Sequence, residues 1–216
     1  MSSPLSVKKN NYFENPKKSD IYTPKWLSAW LCKLIMGSGV EIGAVLDPAI
    51  GLGSLTDPFQ NYKSRYGDQI HITGVDIDEM SRWYCREFYH TKFEDMEIWD
   101  GTPPDIIVVN PPFNSASGRK LYPEVFLKKI QDLFGNQIPV MMIVPMGFLL
   151  NQRLKSSRYR YLRDNWEISS IVALPIDTFL KDDDSPVLFH AEVVFFNFPN
   201  LKPYYFLPEG IYVKKS

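Results

Sequence analysis

Metal and disulfide chemistry are hard to build from this chain, which carries only two cysteines, Cys32 and Cys85, and three histidines, His71, His90 and His190. The cysteines lie far apart inside helix-like segments, without CxxC spacing or the density of a disulfide scaffold, so they read as buried free thiols. The histidines are scattered and suggest no metal constellation. Long apolar runs are also missing: none approaches the roughly 20 residues of a spanning helix. Met1 to Asn15 lacks the apolar stretch of a signal peptide. A cytoplasmic protein with no membrane partner is therefore expected. Charge of one sign is lacking too, since 24 Lys+Arg stand against 25 Asp+Glu, a formal net charge of -1. That balance lacks the overall basic excess common in polyanion-binding domains.

The sequence does hold enough for one core. Its 216 residues, 44% of them hydrophobic, are too few for two ordinary domains with linkers. A polar arm is expected over residues 1–20 and a single domain over 21–216. Thr23-Pro24 opens a helix expected from Lys25 to Met36, ended by Gly37-Ser38-Gly39. Strands are expected at Ala44–Asp47, Ile70–Val75 with Asp76 at its end, Met96–Trp99, Asp105–Val109, Val140–Val144, Ser169–Leu174 and His190–Phe198. Glu79–Tyr89 alternates charged and aromatic residues at helical spacing. Tyr122–Leu133 and the basic Gln152–Asp164 read as further helices. Alternating strands and helices make an α/β fold: a mostly parallel sheet of seven strands, the last antiparallel, with ligands at the strands' carboxyl ends. That arrangement places Asp47, Asp76, Asp100 and Asn110 on one edge.

Three segments carry chemistry. In Asp47-Pro48-Ala49-Ile50-Gly51-Leu52-Gly53, two glycines after a strand let the backbone approach a ligand, although such a loop also serves as a plain tight turn. No third glycine follows, which argues against a pyrophosphate-binding dinucleotide fingerprint. Asp76, closing the next strand, suits the two hydroxyls of a ribose, or is a solvated carboxylate. Asn110-Pro111-Pro112-Phe113 is the most specific. Its prolines fix φ and remove two amide donors, so nearby carbonyls are free to accept from a ligand amino group. An exocyclic adenine amine needs such acceptors because its lone pair is delocalised into the ring, and Phe113 could stack on the base. The alternative is a rigid turn packed by a phenylalanine. Arg153, Lys155, Arg158, Arg160 and Arg163 crowd together with Tyr159 and Tyr161, as a phosphate-binding face or as the wet side of a helix. Lys181–Asp184 reads as an exposed loop.

These segments resemble the N6-adenine DNA methyltransferases of gamma motif order. There a Tyr/Phe-Thr-Pro segment, an Asp-Pro-x-x-Gly-x-Gly loop and an Asn-Pro-Pro-Tyr/Phe turn follow one another, as Tyr22-Thr23-Pro24, Asp47–Gly53 and Asn110–Phe113 do here. Ile143–Leu149, Arg163 and Ile171–Phe179 are similar to the modification subunits of type I restriction-modification systems, so the resemblance spans residues 20 to 198. It implies a Rossmann-like methyltransferase sheet, S-adenosylmethionine as cofactor, and DNA, or RNA, as partner. It further implies that Tyr22, Thr23 and Pro24 lie by the cofactor's methionine part and that Asp47, Ala49, Gly51 and Gly53 line the same pocket. Asp76 would bind the ribose, Ile77 would pack on the cofactor adenine, and Asp100 or Asp95 would meet its amine. Asn110, Pro111, Pro112 and Phe113 would hold the target base. Ile50 and Leu52 depart from the family loop, which has Cys/Phe and Ser/Thr there. With only about 25 residues between Phe113 and the next expected strand, no target-recognition domain fits. Specificity would then be slight or come from a separate specificity subunit or a homodimer. Two rivals stay open: another planar amino group as acceptor (RNA guanine N2, RNA adenine N6, protein glutamine), and a binding subunit that has lost catalysis.

Overall fold

Pro24 can begin a helix because an amide at a helix entrance has no intrahelical partner to lose. In the computed structural model, α1 (Lys25–Met36) indeed starts there, with the Pro24 carbonyl accepting from Ser28 N at 3.0 Å. The structure describes residues 23–112, 115–117, 120–150, 152–180, 186–187, 190–208 and 211. The expected polar arm, Tyr22, Phe113 and the Lys181–Asp184 loop lie outside them.

After α1 come β1 (Ala44–Asp47), β2 (His71–Asp76), β3 (Glu87–His90), β4 (Ile106–Val109), the two-stranded β5 (Ser115–Ser117) and β6 (Lys120–Leu121), then α2 (Tyr122–Phe134). The chain continues through β7 (Val140–Pro145), α3 (Ser157–Asn165), β8 (Ile168–Ala173), the small pair β9 (Phe179–Leu180) and β10 (Pro186–Val187), β11 (Ala191–Phe196) and β12 (Tyr204–Phe206). The main sheet runs β12-β8-β11-β7-β4-β1-β2-β3. All its pairings are parallel except those of β11, which is antiparallel to both β7 and β8.

Side chains alternate between two buried layers. Val45, Ile106, Val108, Met141, Ile143, Val193 and Phe195 face the layer that holds α1. Leu46, Ile107, Val109, Met142, Val144, Val194 and Phe196 face the one that holds α2 and α3. Strands covered on both faces need no polar alternation, which is why β4 reads Ile-Ile-Val-Val and is fully buried.

The α/β sheet matches the expectation, with three corrections. The sheet has eight strands rather than seven, because Tyr204–Phe206 adds a parallel edge beside β8. The strand expected last, His190–Phe198, is antiparallel as expected, but it lies inside the sheet between β7 and β8, and β12 follows it. The third strand is Glu87–His90, not Met96–Trp99. The helical spacing of Glu79–Tyr89 misleads: only Glu79–Tyr84 turns, as a 3-10 segment, and it leaves Met80 and Trp83 exposed rather than packed. Met96 is buried and its carbonyl accepts from Lys129 Nζ at 2.7 Å, so a side chain takes the place of a ladder partner. The basic helix is shorter than Gln152–Asp164. Gln152 turns its amide back to the Phe148 and Leu149 carbonyls, and Ser156 caps α3 by accepting from Tyr159 N. Both cysteines are free, Cys32 buried and Cys85 only half-buried between the 3-10 segment and β3.

Candidate active site

The strand order reverses between β1 and β4: β2 and β3 lie on one side, β7 and its neighbours on the other. In open parallel sheets the carboxyl ends at such a reversal bound a crevice where ligands bind. Asp47 ends β1 and Asn110 follows β4, so these two residues flank it.

The loop after β1 is set by packing. Ile50 is buried against Gly74, where an added Cβ would come within 2.7 Å of Ile50 Cδ1 and 3.0 Å of Cys85 Sγ. The unexpected isoleucine thus plugs the core beneath the loop, and Leu52 is left 47% exposed. Gly51 and Gly53 take φ of 51° and 68°, a region that side-chain-bearing residues avoid. A Cβ on Gly53 would also lie 2.6 Å from Tyr84 Cβ. The loop closes on the neighbouring strand end: Gly51 N donates to Asp76 Oδ2 at 2.8 Å, and Asp78 N donates to Asp76 Oδ1 at 2.9 Å. Each carboxylate oxygen keeps capacity for a further donor.

Asp47 is 1% exposed and accepts from Ala49 N at 3.0 Å. Burial, with the negative Asp76 nearby, pushes its carboxyl up to about 8 despite that hydrogen bond. Two adjacent carboxyl groups, one of them desolvated, form a site that favours a cationic ligand. Beyond β2, Ile77 is 67% exposed at the rim, and its carbonyl accepts from His90 Nε2 at 2.9 Å.

Asn110 is fixed from one side only. Its Nδ2 donates to Thr23 Oγ1 at 3.3 Å, tying the entrance of α1 to the end of β4 across the sequence. Its Oδ1 is buried and has no hydrogen-bond donor among the described residues. Pro111 is buried and Pro112 half-buried, which holds the turn rigid.

The structure therefore gathers Thr23, Pro24, Asp47, Ala49, Gly51, Gly53, Asp76, Ile77, Asn110, Pro111 and Pro112 along one edge of β1, β2 and β4. Asp100 follows no strand at Met96–Trp99 and packs instead against a β3 side chain. Its Oδ1 and Glu87 Oε1 both face the Tyr89 hydroxyl, at 3.0 and 3.1 Å, and Glu87 begins β3. Asp95 is exposed at the end of the 3-10 segment Phe93–Asp95. Gly74 and Tyr84 escaped the sequence reading; the signal for Gly74 was a glycine inside a strand, a mark of close approach. Two hollows in the described surface lie elsewhere. One, of about 400 Å³, is lined by Asn136, Asn165 and Asn197 at the amino ends of β7 and β8. The other, of about 350 Å³, runs between Trp30 and Tyr205.

No family model matches the chain, and no curated protein matches it by sequence. Its fold does match solved structures. A Listeria monocytogenes protein described as a class I S-adenosylmethionine-dependent methyltransferase superposes with TM-score 0.59 at 15% identity, over 90% of this chain and 68% of its own. A type I restriction-modification methyltransferase subunit from Streptococcus thermophilus gives 0.64 at 18%, over 87% and 47%. A type I modification subunit from Vibrio vulnificus gives 0.62 at 19%, over 91% and 49%. The chain spans about half the length of those two subunits. It thus has the fold of S-adenosylmethionine-dependent methyltransferases, with type I modification subunits among its structural neighbours.

Proposed function

We propose that this chain binds S-adenosylmethionine and transfers its methyl group to the N6 amine of adenine in DNA. The observation that carries the reading is Asn110 Oδ1: a buried acceptor without a donor among the described residues, beside a rigid proline pair, at the crevice of a methyltransferase fold. A buried acceptor left unmade costs roughly 1–3 kcal/mol, which a ligand donor would recover.

The residues at the edge fit the cofactor. Asp76 has acceptor capacity for two ribose hydroxyls, Ile77 offers an apolar surface for an adenine, and buried Asp47 would favour the positively charged amino group of the cofactor's amino acid moiety. Gly51 and Gly53 keep side chains out of the backbone's way. When bound, the cofactor supplies a methyl group on a sulfonium, activated for displacement. The protein's share is then placement. Asn110 Oδ1 and the Pro111 carbonyl each accept one hydrogen of the target amine, which draws its lone pair out of the ring and toward the methyl carbon. With a bound sulfonium donor in line, the amine so held would take the methyl group as the S–CH3 bond broke, and its extra proton would pass to water. Phe113, next in the sequence, would offer the base an aromatic face to stack on.

Incubation with methyl-labelled S-adenosylmethionine and a panel of DNA, RNA and protein acceptors tests the assignment. Label is expected in N6-methyladenine of DNA; label in guanine N2, in RNA adenine alone or in glutamine moves the acceptor. A chain that binds no cofactor by calorimetry is a binding module instead.

A further inference from the structure

The basic segment Arg153–Arg163 is open to two readings from sequence, and the fold gives it a place. It follows β7, which pairs with β4 through Val109 and Met142, so the chain leaving β7 emerges beside Asn110 on the ligand-binding edge. The segment is built rather than loose. Gln152 Nε2 donates to the Phe148 carbonyl at 2.6 Å, Ser156 N donates to the Arg153 carbonyl at 2.8 Å, and the Ser156 hydroxyl caps α3. Arg158 turns inward from the first turn of α3, its guanidinium 5.7 Å from the Phe148 ring centroid. Arg153, Lys155 and Arg160 are exposed.

None of those three takes part in an ion pair among the described residues, whereas Arg163, one turn on, is neutralised by Asp164. A chain of net charge -1 has thus placed three unpaired cations on one short stretch at the edge where its candidate acceptor site opens. Exposed Leu154 lies between Arg153 and Lys155, and both of these precede α3, so the stretch is not simply a solvated helix face. Arg160 feels the Asp164 carboxylate that Arg163 pairs with, whereas Arg153 and Lys155 have no ion-pair partner among the described residues; exposed cations so placed suit the phosphates of a nucleic-acid strand.

We propose that Arg153, Lys155 and Arg160 form the surface along which the acceptor's sugar-phosphate backbone lies, positioning it for the target base to reach Asn110. This rests on the nucleic-acid reading above and adds where the strand runs. The three contacts are sequence-independent, so they set affinity and salt dependence without choosing a target site.

The test is fluorescence anisotropy of a labelled DNA duplex against salt, for the wild-type chain and for the Arg153→Ala/Lys155→Ala/Arg160→Ala variant. The side chains are exposed, and S-adenosylmethionine binding by calorimetry serves as the check that the variant is folded. Each lost phosphate contact removes about 0.9 from the slope of log affinity against log salt. A slope shallower by roughly 2–3 in the variant, with cofactor affinity unchanged, supports the surface. The same slope in both proteins overturns it while leaving methyl transfer to adenine intact. The same loss on RNA but not on DNA supports the surface and moves the acceptor to RNA. No binding of either polymer by the wild type overturns surface and acceptor class together, leaving cofactor binding to be judged alone.

Discussion

Asn110 and Asp47 show how much one residue's surroundings decide. Asn110 is held through Nδ2 and open at Oδ1, so Asn110→Ala should remove an interaction made mainly as the amine reacts. Methyl transfer is expected to fall by about 10²–10³-fold, with cofactor affinity within a few fold of wild type; equal activity in steady-state assays sinks the assignment. Asp47 is mostly protonated at pH 7, because burial pushes it up to about 8. A cationic ligand favours its ionised form, so cofactor affinity should rise with pH up to about 8 and then level, with a proton released on binding. Calorimetry at pH 7 in two buffers of different ionisation heat reads that proton directly, and Asp47→Asn should abolish it. Glu192 on β11 tells a different story. Its Oε1 is buried without a partner among the described residues, and burial raises the carboxyl to about 7. Since the folded value lies above the unfolded one, the folded state loses stability as pH climbs from roughly 4.5 through 7. Glu192→Gln should therefore stabilise the chain at pH 8, by about 1 kcal/mol after discounting for solvent, or roughly 2–4 °C in Tm. The gain should vanish at pH 4; a constant offset across that range contradicts the cause.

At the scale of elements, opposite ends of the same strands carry opposite duties. Asp105, just before β4, accepts from Gly43 N and Ala44 N at 2.7 and 2.8 Å and clamps the start of β1. Asp105→Ala should cost about 1.5–3 kcal/mol of stability by denaturant melts and leave cofactor affinity of the folded protein alone. Gly53→Ala should do the reverse in emphasis: its φ of 68° and the nearby Tyr84 force the loop to shift, so cofactor affinity drops at least tenfold. Elements with local punctuation were legible in the sequence. Pro24 and Gly37 bracket α1, and β4 announces itself by an unbroken apolar run. Two edge strands were not. Glu87–His90 has a partner on one side only, so its half-buried Glu-Phe-Tyr-His pattern looks like a helix face, and Tyr204–Phe206 is too short to show a period. The Asn-Pro-Pro turn was visible as a motif, but the Thr23 bond that leaves one oxygen of Asn110 unmatched joins residues 87 positions apart and needs the fold.

For the whole molecule, two buried layers on a single sheet account for the described core, and one edge of that sheet gathers the acidic pair, the glycine loop, Asn110 and the basic stretch. No helix among the described residues is long and apolar enough to cross a membrane. The chain spans about half the length of the type I modification subunits it resembles in fold. Asp100 was expected at the edge with the others and instead shares the Tyr89 hydroxyl with Glu87, because a charged residue after an assumed strand has no fixed place when the strand does not form. The central claim is transfer to an adenine amine. Its most direct measurement is mass spectrometry of nucleosides from DNA incubated with the chain and trideuteromethyl S-adenosylmethionine. N6-trideuteromethyladenine with the wild type and none with Asn110→Ala is the predicted result; saturable cofactor binding with no label in adenine contradicts it.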